Sequence, residues 1–242
     1  MRFGLSLPHY GFSLPTGRIA FEDAAGWARR AEGLGFDSVW VSDHFFYSFA
    51  RYGADPAPIA SLEPLTTLAG IAAVTDRVRL GTLVLCAAFR HPALLAKAAT
   101  SIDLVSGGRL DLGLGAGWLA EEFEAFGFRF GSPRERFAAL EETLEVLRRL
   151  FGGEPVTYDG PTVSLREAVL EPAPYRSPAV WVGGKGGPRL LRSAARLADG
   201  WNAVWRMSPE AYAQKVSDVR AACDAAGRDP ETFDLSLGLY SL

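Results

Sequence analysis

The chain has little that would mark a secreted, metal-held or membrane-bound protein. Its two cysteines, Cys86 and Cys223, lie far apart with no secretory apolar segment ahead of them. A disulfide framework is not indicated, and both read as small buried hydrophobes. The three histidines, His9, His44 and His91, show no paired ligand spacing, which argues against a metal site. His91, just before Pro92, reads as a helix-entry residue. No apolar run approaches the length of a membrane span, and Met1-Arg2 leads directly into the strand-like FGLSLP. A soluble, cytoplasmic protein is expected. Net charge is only −3, which leaves no footprint for nucleic acid or an anionic membrane, so any anion must be caught locally. No G-x-S-x-G elbow is present to seat a nucleophilic serine.

What remains is an ordinary globular composition, 48% hydrophobic and 22% charged, in 242 residues, a length at which α/β barrels form one domain. The centre of the pattern is Arg79 to Trp118: an apolar strand, a helix opened by Pro92 and closed by Gly107-Gly108, and a second strand breaking at a glycine cluster. That is a βαβ unit with parallel strands. Ahead of it lie a strand at Phe3 to Leu7, a helix over Ala20 to Leu34 with Ala24, Trp27, Ala28, Ala31 and Leu34 at helical spacing, a strand at Ser38 to Val41, and a helix over Glu63 to Thr75. Behind it, Ser132-Pro133-Arg134-Glu135 combines a capping serine, proline at N1 and a capping-box glutamate, and opens a helix to about Leu150. Residues 152–178 read as a hairpin-like excursion over the barrel mouth. Further strands follow at Ala179 to Val182, Gly200 to Val204 and Phe233 to Leu239, with helices from Pro188 and from Pro209 to Ala225. Seven strands alternating with helices fit a (β/α)8-type barrel or a doubly wound sheet, as one domain over 1–242.

Candidate chemistry sits where the strands end. Gly183-Gly184-Lys185-Gly186-Gly187 precedes a helix starting at Pro188. Glycines let backbone N–H groups approach an anion, and the helix aims its positive end at the same place. A tight turn with a solvated lysine explains the same residues, but four glycines in five exceed what a turn needs. The loop is not a Walker A motif, since Gly186 follows Lys185, and Gly113 to Trp118 has the wrong spacing for a dinucleotide fingerprint. Asp43-His44 ends the second strand. An imidazole beside a carboxylate can exchange protons near neutral pH; equally, Asp43 can cap the loop while His44 packs among Phe45, Phe46, Tyr47, Phe49 and Tyr52, themselves either a satellite core or an apolar substrate wall.

The motifs FGLSLP, GFDSVWVSDHF, RVRLGTLVL, RHPALLAKAATSIDLVSGGRLDLGLGAGW, VWVGGKGG and ARLADGWN run in that order over nearly the whole chain. Together they resemble the luciferase-like monooxygenase superfamily, in the branch dependent on the deazaflavin coenzyme F420. The resemblance implies an α/β, TIM (β/α)8-type barrel that here lacks the last strand and helix. It implies hydride transfer between a small organic substrate and C5 of the cofactor ring, with His44 or Asp43 handling the proton. Leu83-Val84 corresponds to a bulge, often with a non-prolyl cis peptide, that backs the ring. Gly115-Ala116-Gly117 matches a loop near the cofactor's tail, and Gly183, Gly184, Lys185, Gly186 and Gly187 match the loop that holds its phosphate. His9, Phe45, Phe46 and Trp118 are expected against the substrate. Trp118 stands where the branch acting on sugar phosphates carries an acid, which argues against a sugar-phosphate substrate, and the aromatic loop from Phe45 to Tyr52, with Trp118, favours an apolar or planar one. A homodimer is expected. The alternatives are an FMN-dependent monooxygenase using dioxygen and a non-catalytic flavin-binding protein; an unrelated phosphate-binding barrel enzyme would explain the glycine loop but not the run of motifs.

Overall fold

The computed structural model describes residues 1–14, 17–55, 57–204 and 207–239, apart from the Arg51 side chain. Seven parallel strands pair side by side in chain order: β1 (Gly4–Ser6), β2 (Ser38–Val41), β3 (Arg79–Thr82), β4 (Leu110–Gly115), β5 (Ala179–Gly184), β6 (Gly200–Ala203) and β7 (Asp234–Leu237). Among the described residues β1 and β7 have no second strand partner, so the barrel is open where an eighth strand and helix would close it. An exposed ion pair, Arg2 to Asp234 at 2.7 Å, reaches from one edge to the other, a surface pair of small energetic weight.

The helices are α1 (Phe21–Gly33), α2 (Pro64–Ala72), α3 (Pro92–Ser106), α4 (Ala120–Ala125), α5 (Pro133–Phe151), α6 (Pro188–Leu197) and α7 (Pro209–Ala225). Their boundaries follow local chemistry. The Ser132 and Glu135 side chains cap α5 reciprocally, and α3 ends on Gly107 and Gly108, both at positive φ, a conformation in which glycine carries no Cβ penalty. His91 is the N-cap of α3, its Nδ1 accepting from the Ala93 N–H at 3.2 Å, which agrees with its reading as a helix-entry residue. The short α4 was not separated out by the sequence pattern. Nor does the expected inner face of α1 hold throughout: Ala24, Ala28 and Ala31 are buried, but Trp27 is 45% exposed and Leu34 68%. Small residues let α1 lie close to the sheet, and the indole is left beside that contact with Arg30 over its ring.

Alternation along the strands separates two cores. Leu80, Leu110, Leu112, Leu114, Val180 and Val182 belong to the large cluster shared with the helices. The opposite faces carry Trp40 and Trp181, which meet edge to face at 6.3 Å. Space for them comes from missing side chains: a Cβ on Gly4 or Gly81 would lie 2.4 or 2.1 Å from Trp40, and one on Gly200 2.6 Å from Trp181. Large and small residues thus interlock across neighbouring strands.

The excursion after α5 is a hairpin, Val156–Asp159 against Ser164–Ala168, but it does not cover the mouth. The turn binds the buried Glu142 carboxylate of α5 through Thr162 and Val163, and Arg176 N–H donates to Asp103 of α3 at 2.9 Å. α5 ends, and β5 begins, at the end of the sheet opposite the mouth, so the connecting chain runs along the helices' flank.

Candidate active site

The carboxyl ends of β2, β3, β4 and β5 are drawn together by a chain of contacts. Beyond β3 the chain breaks at Leu83-Val84, whose peptide bond is cis, and resumes as Leu85–Cys86 on β4. Gly81 pairs with Asp111 and Leu85 with Leu114, so four steps on one strand face three on the other. That is a bulge, at the position the sequence motif implied. It turns Val84 across the neighbouring strands: a Cβ on Gly113, Gly115 or Gly183 would come within 3.2, 2.7 or 2.6 Å of the Val84 side chain. Val84 therefore forms an apolar shelf over side-chain-free backbone.

Asp43 is not a free acid. Arg90 grips both its oxygens, Nη1 to Oδ2 at 2.5 Å and Nη2 to Oδ1 at 3.0 Å, while Cys86 N–H donates to Oδ2 at 2.9 Å. Arg90 also reaches Glu63, the N-cap of α2, at 2.6 Å. Asp43 is a clamp joining the loop after β2 to the one after β3, which corrects its expected part in proton transfer. Cys86 adds no nucleophile, since burial pushes its thiol up to about 12.

His44 is held differently. Its Nδ1 lies 2.9 Å from Oε1 of Glu122 on α4, and Glu122 Oε2 accepts from the Phe45 N–H at 3.0 Å. The two side chains are 10% and 3% exposed. Among the described residues Nε2 has no hydrogen-bond partner. The ring stands edge-on to Trp118 and Tyr47, each at 5.5 Å, with Tyr10 at 6.1 Å. Phe12 stacks on Tyr10 at 5.0 Å, and with Phe49 it extends this aromatic wall.

Three other expected substrate contacts are corrected. His9 is 1% exposed, with Nδ1 at 2.7 Å from Leu7 O and Nε2 accepting from Ser42 N–H at 3.0 Å. Burial lowers it to about 4, so it is neutral and fully engaged. Phe45 turns into a satellite core, stacking on Phe126 at 4.3 Å and meeting Phe89 at 4.7 Å. Phe46 pairs with Ala60 in a two-residue ladder, and its one ring contact among the described residues is Phe126, at 6.3 Å. The aromatic loop thus divides: Phe45 joins the core, while Tyr47 joins Trp118 beside His44. Tyr10 and Glu122 were the members missed, whereas Tyr47 belongs to the aromatic stretch read as a satellite core or an apolar substrate wall; for Glu122 the acidic residues after Trp118 are the signal in the sequence.

The two glycine clusters are also explained in part by packing. Gly115 and Gly183 make room for Val84, Gly117 for Cys86, whose Sγ would lie 2.6 Å from a Cβ, and Gly186 for Trp201 at 2.9 Å. Ala116 lies between Gly115 and Gly117 and is packed against the main core. Gly184 ends β5, and its carbonyl accepts from Trp201 Nε1 at 3.1 Å. Only Lys185, Gly186 and Gly187 form the loop proper, with Gly187 as N-cap and Pro188 at N1 of α6. The space over Gly187 is open, and Lys185 is exposed and unpaired among the described residues. An ammonium beside the free N–H groups of a helix's first turn suits a phosphate, and an apolar shelf suits a planar ring, so the residues fit a flavin-type cofactor.

A model of the family described as luciferase-like monooxygenase matches residues 1–241. The phthiodiolone/phenolphthiodiolone dimycocerosates ketoreductase of Mycobacterium sp. (strain JLS) is 37% identical over 241 residues, covering 91% of this chain and 61% of its own length. The F420-dependent glucose-6-phosphate dehydrogenase of Amycolatopsis mediterranei is 32% identical, covering 94% and 67%. The chain thus spans about three-fifths to two-thirds of these relatives. Among solved structures, the monooxygenase RslO1 from Streptomyces bottropensis aligns with a TM-score of 0.78 at 31% identity over 98% of this chain and 70% of that one. An F420-dependent secondary alcohol dehydrogenase shares the fold, with a TM-score of 0.82 at 24% identity over 98% and 68%. With an open parallel barrel, a bulge after β3 and a match across 1–241, the chain belongs to the luciferase-like monooxygenase family.

Proposed function

We propose that the chain carries the active site of an oxidoreductase that moves a hydride between coenzyme F420 and a small organic substrate. The observation that carries this reading is the convergence, at one mouth, of His44, whose Nε2 has no partner among the described residues, and the Val84 shelf over Gly115 and Gly183. Relatives at 32% and 37% identity that are named for F420 dependence and for ketone reduction support it.

When bound, the deazaflavin supplies a carbon that accepts or gives a hydride. The chain's own residues do the rest. Val84 supports one face of the ring, Lys185 and the first turn of α6 hold the phosphate, and Trp118, Tyr47 and Tyr10 exclude water from His44. The His44 Nε2 takes the proton of a substrate hydroxyl as its carbon loses a hydride, or returns it to a carbonyl oxygen in the reverse direction. Asp43 keeps the loop in place through Arg90.

FMN with dioxygen is the second reading, favoured by the 31% identity to the monooxygenase RslO1. The test is to load the protein with oxidised F420 and follow its absorbance on adding a panel of secondary alcohols, anaerobically. Bleaching with wild type and its loss in His44→Ala, with cofactor affinity kept, is the expected result. Turnover that requires reduced FMN and oxygen instead would replace the first reading by the second.

A further inference from the structure

We propose that Glu122 is a positioning residue that fixes His44 in one tautomer, with the proton on Nδ1, so that protons enter and leave the site only at Nε2. The proposal rests on the reading of His44 as the proton-handling group.

The geometry leaves one arrangement. The Phe45 N–H is a fixed donor, so Glu122 Oε2, at 3.0 Å, is an acceptor. The remaining oxygen, Oε1, lies 2.9 Å from Nδ1. A carboxylate oxygen accepts, so the proton of this bond lies on Nδ1. A neutral imidazole has one donor and one acceptor nitrogen, so Nε2 is the acceptor. Ring reversal would leave this buried carboxylate oxygen without its donor, and the flanking Trp118 and Tyr47 rings stand at 5.5 Å on either contact.

No other group in reach does the same work. On the loop after β2, Asp43 has both oxygens engaged by Arg90 and Cys86. From the loop after β1, His9 is neutral, lowered to about 4 by burial, and Tyr10 is raised by burial and stays protonated. Tyr47 and Trp118 present rings. Glu122 is therefore the one carboxylate that touches His44 among the described residues.

With a deazaflavin bound to take up the C–H hydride of an alcohol, Nε2 would receive the hydroxyl proton as the C–O bond becomes a carbonyl. The resulting imidazolium keeps its Nδ1–H on Glu122, whose charge stabilises it. In reverse, the same Nε2–H supplies the proton as hydride reaches the carbonyl carbon. This is the orienting role that a buried carboxylate plays toward a catalytic imidazole.

The discriminating variant is Glu122→Gln. A glutamine has one acceptor oxygen, which the Phe45 N–H requires, so its NH2 group faces Nδ1 and turns the imidazole to the Nε2–H tautomer. Long-range 1H–15N NMR of the cofactor-free protein, with His44→Ala to assign the signals, is expected to show a protonated Nδ1 in wild type and a protonated Nε2 in Glu122→Gln. Turnover is expected to fall roughly a thousandfold or more, with F420 affinity within about twofold and no further loss when Glu122→Gln is added to His44→Ala. Glu122→Asp, which keeps the carboxylate, should hold the wild-type tautomer. Protonated Nε2 in the wild-type protein overturns the proposal, and needs no variant to fold; so does an additional loss in the His44→Ala background. The two tautomers found as expected in a protein that does not bind F420 support the assignment and count against the proposed function alone.

Discussion

The side chain of Val84 occupies the space that a side chain on Gly183 would need: a Cβ there would lie 2.6 Å from Val84 Cγ1. The bulge after β3 and the penultimate residue of β5 are therefore one packing unit. Gly183→Ala is expected to cost about 1–3 kcal/mol through overpacking. Adding Val84→Ala should recover part of that loss, because the two changes share one space. Urea unfolding of both single variants and the double checks it; simple additivity would mean that the two residues do not meet.

Arg90 makes a second testable link. Its guanidinium binds Asp43, whose side chain is 5% exposed, and Arg90→Ala would leave that carboxylate without its countercharge. The expected loss is about 3 kcal/mol, with turnover falling alongside as the His44 loop loosens. Turnover unchanged in a folded Arg90→Ala protein would show that the clamp has no bearing on the site.

His9 gives the fold a dependence on pH. Burial lowers its folded value to about 4 from an ordinary 6.5. Between these values the unfolded chain binds the extra proton, so this contribution is whole above pH 6.5 and is lost as pH falls toward 4. At pH 5 the loss is about 2 kcal/mol. His9→Gln, less stable at neutral pH, should lack this component, and the gap between the two proteins in urea unfolding should narrow by that amount from pH 7 to 5. A constant gap would contradict a buried neutral imidazole.

Lys185 is exposed beside the N-terminus of α6. If it faces the cofactor's phosphate, Lys185→Ala weakens F420 binding roughly tenfold, about 1.4 kcal/mol, and the loss shrinks at high salt. An unchanged dissociation constant would reduce it to a solvated turn residue.

The strands and helices were legible because punctuation is local. Pro92, Gly107-Gly108 and Ser132 to Glu135 state where α3 and α5 begin or end, and the structure follows them. The site was legible only where a motif is contiguous. Asp43-His44 could be found, but their partners could not: Arg90 is 47 residues beyond Asp43, and Glu122 is 78 beyond His44. Both side chains arrive through parallel crossovers, which leave no periodic trace. The acidic run after Trp118 was visible, yet Glu122 is 2% exposed while its neighbour Glu121 faces solvent, a difference set by six residues of α4, too few to carry a helical period. Glycine misled in the opposite sense. Gly183 looked like surplus for an anion loop and Gly115 like part of a loop near the cofactor's tail, and packing accounts for both, since the Val84 side chain needs the space of each.

The central claim is that the mouth beside His44 and Val84 binds a deazaflavin. A fluorescence titration of the purified chain with F420, and separately with FMN, at fixed salt, tests it most directly. Saturable binding of F420, tighter than FMN and weakened by Lys185→Ala, is the predicted result; binding of FMN alone, or of neither, would contradict it.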